Sequence, residues 1–271
     1  MIPVIFNISK RLAFKKRNAK KFQKSDFLHK EIFLNHLDRL SMILQDMPSI
    51  TLIDVPEYFL DLPEAKAFFQ LKKTTHITNI QRDNEILPQH IHTQNAIIAL
   101  LTCHCINDLV GYLIQINNAL QSDGVFVGSF IGEKTLGILK KSFTNAELEI
   151  TNACHNRFFP TIDIRDLGGL LQRAKFALPV ADSENYRIHY QDLKTMINDI
   201  KATGESNYLE NASKPLNRKT YQKALENLHN LVPNHIFDID IITITGRKPS
   251  DAQQKPLKAG SAQISLTKIL K

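Results

Sequence analysis

The run of residues 96–103, AlaIleIleAlaLeuLeuThrCys, constrains this chain more than any other feature. Seven apolar residues among these eight, without polar alternation, read as a strand buried on both faces, the signature of a parallel sheet with helices on either side. The run is far shorter than the roughly 18–20 residues a membrane-spanning helix needs, and no other apolar run reaches that length. The flanking pattern agrees. Residues 50–55 (IleThrLeuIleAspVal), 125–130 and 237–245 read as further buried strands, with 77–80 as a short one and another within 176–190. Helical periodicity fills the spaces, over 63–69 with Pro63 at its first position, from 107 or 108 onward (Leu109, Leu113, Ile116, Leu120), from about 133, over 163–175, 191–201 and 218–231. Strands alternating with helices predict a single α/β domain of doubly wound type.

The start of the chain is different in kind. Lys10, Arg11, Lys15, Lys16, Arg17, Lys20, Lys21 and Lys24 all precede the first acid, Asp26. Of the chain's 34 basic and 27 acidic residues, this stretch supplies much of the surplus. It reads as a solvated basic arm or as a contact for nucleic acid or an anionic membrane. Nucleic acid is the weaker partner, and no apolar core of a secretory signal follows the charges. Ser25 is the expected cap of the next helix, whose apolar face is Leu28, Ile32, Phe33, Leu37, Leu40 and Leu44. The expected layout is a basic arm and helix over 1–48, the α/β domain over 49–248 with helical inserts, and a tail over 249–271 ending in an amphipathic piece at 264–270.

Chemistry-bearing motifs are few. Cys103-His104-Cys105 and Cys154-His155 invite a zinc reading. An extended segment would turn Cys103 and Cys105 to one face and His104 to the other, which scatters the ligands. His90-Ile91-His92 has no third ligand nearby. Three cysteines cannot all pair, which points to a reducing compartment. The sequence carries no phosphate-binding loop, nucleophile elbow or zinc-protease helix. Gly204-Glu205-Ser206-Asn207 reads as a helix stop with a new cap, or as a surface closing over a cleft. The segment Arg157-Phe158-Phe159-Pro160 reads as a lid or as core packing.

Taken together, several stretches resemble a known family. Asp83-Asn84-Glu85-Ile86-Leu87-Pro88, the strand at 96–102, Cys103 to Leu109, and Ser122-Asp123-Gly124-Val125-Phe126 resemble the second half of a class I S-adenosylmethionine (SAM)-dependent methyltransferase core. Asp166 to Ala174, Gly204 to Asn207, Gly260 to Ser265, and the helix from Asp26 to Leu40 resemble, more narrowly, the family of the mitochondrial complex I assembly factor number five and its alphaproteobacterial relatives. The chain is also similar, more distantly, to the malonyl-carrier-protein methyltransferase of biotin synthesis. The resemblance implies a Rossmann-like sheet that binds SAM at the carboxyl ends of its strands, a methylation or hydroxylation of a protein side chain, and a respiratory complex I subunit as partner. It places the protein in the bacterial cytoplasm or the mitochondrial matrix. It also implies a cofactor pocket at Asp54, Asp83, Ile86, Leu87 and His104.

Against that pattern the cofactor loop is rebuilt. Where the family carries Asp-x-Gly-x-Gly, this chain reads Asp54-Val55-Pro56-Glu57-Tyr58. Pro56 offers no N–H, Tyr58 adds bulk and Glu57 adds negative charge where a carboxylate would lie. Only 29 residues separate Asp54 from Asp83, too few for two full crossovers. The sheet is therefore expected to be shortened in its first half, its second strand shortened or missing. Two functions stay open: a fold relic with weakened or lost SAM binding that acts through protein contacts, and an active SAM-dependent enzyme.

Overall fold

A computed structural model describes residues 3–81, 84–88, 93–212 and 215–253. Six strands form one sheet in the order β2-β1-β3-β4-β6-β5, with β1 Ser49–Ile53, β2 His76–Ile80, β3 Gln94–Ala99, β4 Leu120–Ile131, β5 Ala177–His189 and β6 Ile236–Arg247. The first four are mutually parallel, and β6 runs antiparallel to both neighbours. Ile50 to Ile53 pair with Ala96 to Ala99. Every residue of β3 is buried, as the apolar residues 96–99 require of a central strand covered on both sides, while Gln94 and Asn95 at its start accept hydrogen bonds from Ser49 and Thr51 of β1.

The pleat divides the core into two layers. Ile97, Ala99, Phe126 and Ile244 face α4 (Leu109–Ala119) and α6 (Ile164–Arg173), meeting Leu113, Ile116, Leu167 and Leu171. Ile50, Leu52, Ile98 and Val127 face α2 (Phe27–Ser41) and α3 (Pro63–Leu71), meeting Phe33, Leu37, Leu40 and Phe68. A third layer, α5 (Gly137–Thr151) against α8 (Arg218–Leu231), closes with α7 (Leu193–Ala202) around Met196, Leu228 and Phe237. Asp108 and Asp163 cap α4 and α6, each accepting a backbone N–H.

Several expectations change. The basic start is a helix, α1 (Ile8–Phe22), capped by Asn7 and solvated on one face only, with Lys16, Arg17, Lys20 and Lys21 exposed but Arg11 and Asn18 buried. Ser25 does not cap α2. Asp26 holds that position without a side-chain cap bond, and Ser25 Oγ instead donates to Asp199 at 2.7 Å. Because α2 ends at Ser41, Leu44 lies outside it and is fully exposed. The second strand is present, five residues long at the sheet edge. The shortening falls instead on what connects it. One nine-residue helix, α3, precedes it, and among the described residues no helix lies between β2 and β3. The 122–124 turn is a kink inside β4, with Asp123 at φ 65°. α5 begins at Gly137 rather than near 133, because residues 132–135 turn instead, Thr135 Oγ1 donating to the Asp240 carbonyl. The sheet is mixed rather than all-parallel, since β5 and β6 return as an antiparallel pair. The amphipathic piece at 264–270 and the motif at 260–265 lie outside the described residues.

Candidate functional site

From β1 the chain winds one way to β2, and from there it passes to the other side to form β3. The sheet therefore changes direction between β1 and β3, and the crevice at the carboxyl ends of those strands is where such a fold takes ligands. A cavity of about 500 Å³ lies there. Asp54, Pro56, Glu57 and Tyr58 line it from the end of β1, Asn79 and Gln81 from β2, and Leu100 and Leu101 from β3. Helix α1 roofs it with Lys15, Ala19 and Phe22, while His29 and Glu205 close the side.

A left-handed residue follows each central strand, Asp54 at φ 58° directly after β1 and Leu101 at φ 44° two residues beyond β3. For non-glycine residues this is a strained conformation, held in place by its surroundings. Asp54 N donates to the Ile80 carbonyl and Leu101 N to Ser129 Oγ, each at 2.8 Å. The side-chain amides of Asn79 and Gln81 donate to the Val55 carbonyl, so the end of β2 clamps the rebuilt loop. Tyr58 turns its hydroxyl onto Asp26 at 2.7 Å. Burial, together with that carboxylate, pushes the phenol pKa up.

A chain of buried charge crosses the crevice. Arg11 Nη2 meets Asp54 Oδ2 at 2.7 Å, Lys15 Nζ reaches the same oxygen at 3.3 Å, and Thr102 Oγ1 donates to it at 2.6 Å. The Arg11 and Asp54 side chains are 2% and 3% exposed, whereas Lys15 is one-third exposed. Desolvation lowers the Lys15 pKa, although Asp54 pulls the other way. Nearby, Glu205 accepts from the Tyr208 hydroxyl at 3.0 Å and meets His104 Nε2 at 3.2 Å. Burial alone would raise the Glu205 pKa, but His104, Arg11 and Lys15 outweigh it and hold it at about 2. Gly204, just past α7, has φ +85°, and a Cβ there would stand 3.1 Å from Lys15 Cγ. A glycine is therefore needed both for the turn and for the approach of α1.

The residues singled out in the sequence are not gathered in one place. Asp54 lines the cavity. His104 does not line it but touches Glu205, which does, and opens instead onto a separate hollow with Ile106 and Phe130. Leu87 is packed in the sheet core, and Ile86 is 72% exposed on another surface beside Val4 and Asn107. Asp83 and the pair His90 and His92 lie outside the described residues. Cys103-His104-Cys105 forms a short 3₁₀ turn rather than an extended segment, so the two buried cysteines enter different clusters. The 204–207 motif is a helix stop with Gly204 as its left-handed residue, and no helix begins at Asn207. Phe158 and Phe159 are packing residues, Phe159 lying 4.3 Å from the Tyr208 ring.

Sequence reasoning missed Arg11, Lys15 and Glu205 as parts of one site. A signal for the first two existed, since Arg11, Lys15, Asn18 and Phe22 fall at i, i+4, i+7 and i+11 on one helical face. Among the described residues no three His, Cys, Asp or Glu converge as a metal site, and no helix is long and apolar enough to cross a membrane.

No protein-family model matches the chain. It is 34% identical to the zebrafish (Danio rerio) mitochondrial arginine-hydroxylase NDUFAF5 over 199 residues, covering 71% of this chain and 61% of that protein. With the mouse (Mus musculus) protein of the same name it shares 30% identity over 267 residues, covering 92% of this chain and 78% of the relative. Among solved structures, the YcgJ protein of Bacillus subtilis is 11% identical with a TM-score of 0.46, covering 83% of this chain and 99% of that one. With the mouse protein matched over most of its length, and with a sheet wound as class I methyltransferases are, the chain belongs to the NDUFAF5 family.

Proposed function

We propose that this member of the family works chiefly through protein contacts, with its affinity for SAM weakened or lost, and that its partner is a subunit of respiratory complex I in the bacterial cytoplasm or mitochondrial matrix. One observation carries the reading: the Asp54 carboxylate already accepts from Arg11, Lys15 and Thr102. The cofactor's size suits a cavity of about 500 Å³, but its methionine end does not suit these walls. That end carries an ammonium, which needs an acceptor, and a carboxylate, which needs free N–H groups. The acceptor is taken by two cations of the chain itself. At the loop, Pro56 has no N–H to give, and the exposed Glu57 side chain repels a carboxylate. The residues present therefore do not fit SAM. Asp54 and His104 enter this reading as remnants of the ancestral pocket, Asp54 tying the loop to α1 and His104 fixing Glu205.

Titration calorimetry of the full chain with SAM and with S-adenosylhomocysteine tests it. No saturable heat below millimolar ligand is expected, and micromolar binding of either compound would overturn the reading. Affinity capture from the source cells is expected to return complex I subunits.

A second reading is favoured by the cavity itself, which is retained at the carboxyl ends of all three first strands. In it the protein modifies a side chain of its partner, as the name arginine-hydroxylase says of its relatives. Mass spectrometry of the captured partner separates the two: an added methylene or oxygen on a side chain, lost on deletion of this gene, belongs only to the enzyme.

A further inference from the structure

We propose that helix α1 is an electrostatically latched strap over the crevice, able to lift from the cavity as a unit while the sheet beneath stays closed. The idea rests on the cavity discussed above and does not depend on whether SAM enters it.

The strap has an inner and an outer face. Inward, Lys15 and Phe22 line the crevice, Arg11 reaches Asp54 at its edge and Asn18 is buried. Outward, Lys16, Arg17, Lys20, Lys21 and Lys24 are exposed, and the helix contains no acid. Its own charges therefore repel one another, and the carboxylate that holds it down belongs to β1. Beyond its packing beside α7, the apolar grip of the helix itself is small. Phe14 touches a cluster of only four buried residues, and Phe22 meets the His29 ring edge-on at 4.9 Å. Just before the helix, Phe6 is buried against the rings of Phe159 and Tyr208, and polar ties accompany it: Asn7 N to the Tyr208 carbonyl, Glu210 N to the Ile5 carbonyl, and Ile5 N and Phe6 N to Asn107 Oδ1. At the back, Ser25 and Asp26 are pinned to Asp199 and Tyr58, which leaves exposed Gln23 and Lys24 as the hinge.

The latch itself is imperfect. Arg11 is buried, yet its Nε and Nη1 have no partner among the described residues. A desolvated guanidinium with unused N–H groups penalises the docked state, and lifting returns those groups to water. The seat is nonetheless specific, because only the bare backbone of Gly204 lets α1 approach at Lys15. Apolar contact concentrated at one end, an under-satisfied ion pair and self-repelling charge are the properties of segments that open below the global unfolding free energy.

The chain carries its own reporter. Cys105 is buried beneath Phe6, Tyr208 and Leu209, while Cys103 sits in the sheet core and Cys154 is exposed. The experiment is hydrogen exchange and maleimide labelling, read by peptide mass spectrometry on the full chain. In the wild type, peptides from 8–22 are expected to exchange at least about tenfold faster than β3, and Cys105 to label at a rate between Cys154 and Cys103. The R11Q/K15Q double variant is expected to raise both α1 exchange and Cys105 labelling by a further factor of about ten, leaving β3 and Cys103 unchanged. Exchange of α1 in step with β3, or labelling of Cys105 in step with Cys103, overturns the proposal in the wild type alone. Unchanged Cys105 labelling in a folded variant overturns the latch. SAM calorimetry bears on none of these outcomes.

Discussion

Two buried acids in this molecule hold arginines in opposite ways. At the end of α5, Glu147 receives Arg157 through Nε at 3.1 Å and Nη2 at 2.6 Å, and His155 through Nδ1 at 2.7 Å. The partners lie ten and eight residues away, so one local loop closes the clasp. The hydrogen bonds from Arg157 above all, with those from His155, hold the Glu147 pKa at about 2 against its burial. At the crevice, Asp54 takes a single guanidinium nitrogen from a helix 43 residues away and leaves the rest of that guanidinium unused. A saturated fork is a fastening, whereas a half-used one is a contact the fold can do without.

The largest test of that contrast is Arg157→Ala. It strands Glu147 with its side chain 3% exposed, and the expected loss is about 3–5 kcal/mol in the urea midpoint of the whole protein. A loss as small as that at Arg11 would erase the distinction. The next concerns His36, a buried titratable group with no partner on either ring nitrogen among the described residues. Burial, with Arg39 nearby, takes its pKa down to about 3. The unfolded chain binds a proton below about 6.5 that the folded chain refuses, so stability is whole above that pH and falls as pH drops toward 3. Near pH 5 the expected cost is about 2 kcal/mol, and His36→Leu should flatten that part of the stability profile.

Smaller again is Gly204→Ala, which forces a side chain into a left-handed turn and against Lys15. About 1–2 kcal/mol is expected, visible as faster exchange in α1 before any other helix. Smallest is Arg11→Met. It keeps the bulk and removes the unused N–H groups, while Lys15 and Thr102 still face Asp54. The global midpoint should move by less than about 1 kcal/mol, since the loss is confined to a segment that opens on its own. A drop matching Arg157→Ala would make the two acids equivalents.

Much of the fold could be read in advance, because burial writes itself into the pattern. The doubly buried β3, the helix start at Asp108 and the β-branched run of β6 follow from local chemistry. The site was less legible. That Pro56 and Tyr58 rebuild the loop is plain from the sequence, but nothing near Asp54 announces a cation from α1. A run of eight basic residues looks solvated from any side, and its inward pair is marked only by helical spacing. His36 hid for a related reason. It sits four residues after Ile32 on the apolar face of α2, where periodicity implied burial that its polarity argued against. Ser25 and Leu44 misled because the pattern of α2 continues past both true ends.

The sequence distances spanned by Arg11 carry one more consequence, for the order of assembly. Its acceptors Asp54 and Thr102 stand 43 and 91 residues along the chain. A pairing so remote closes a long loop for little reward until β1 and β3 are side by side. Although α1 is made before the strands it docks on, it is thus the last of them to find its place, and damage at this corner will show as faster unfolding with refolding unchanged.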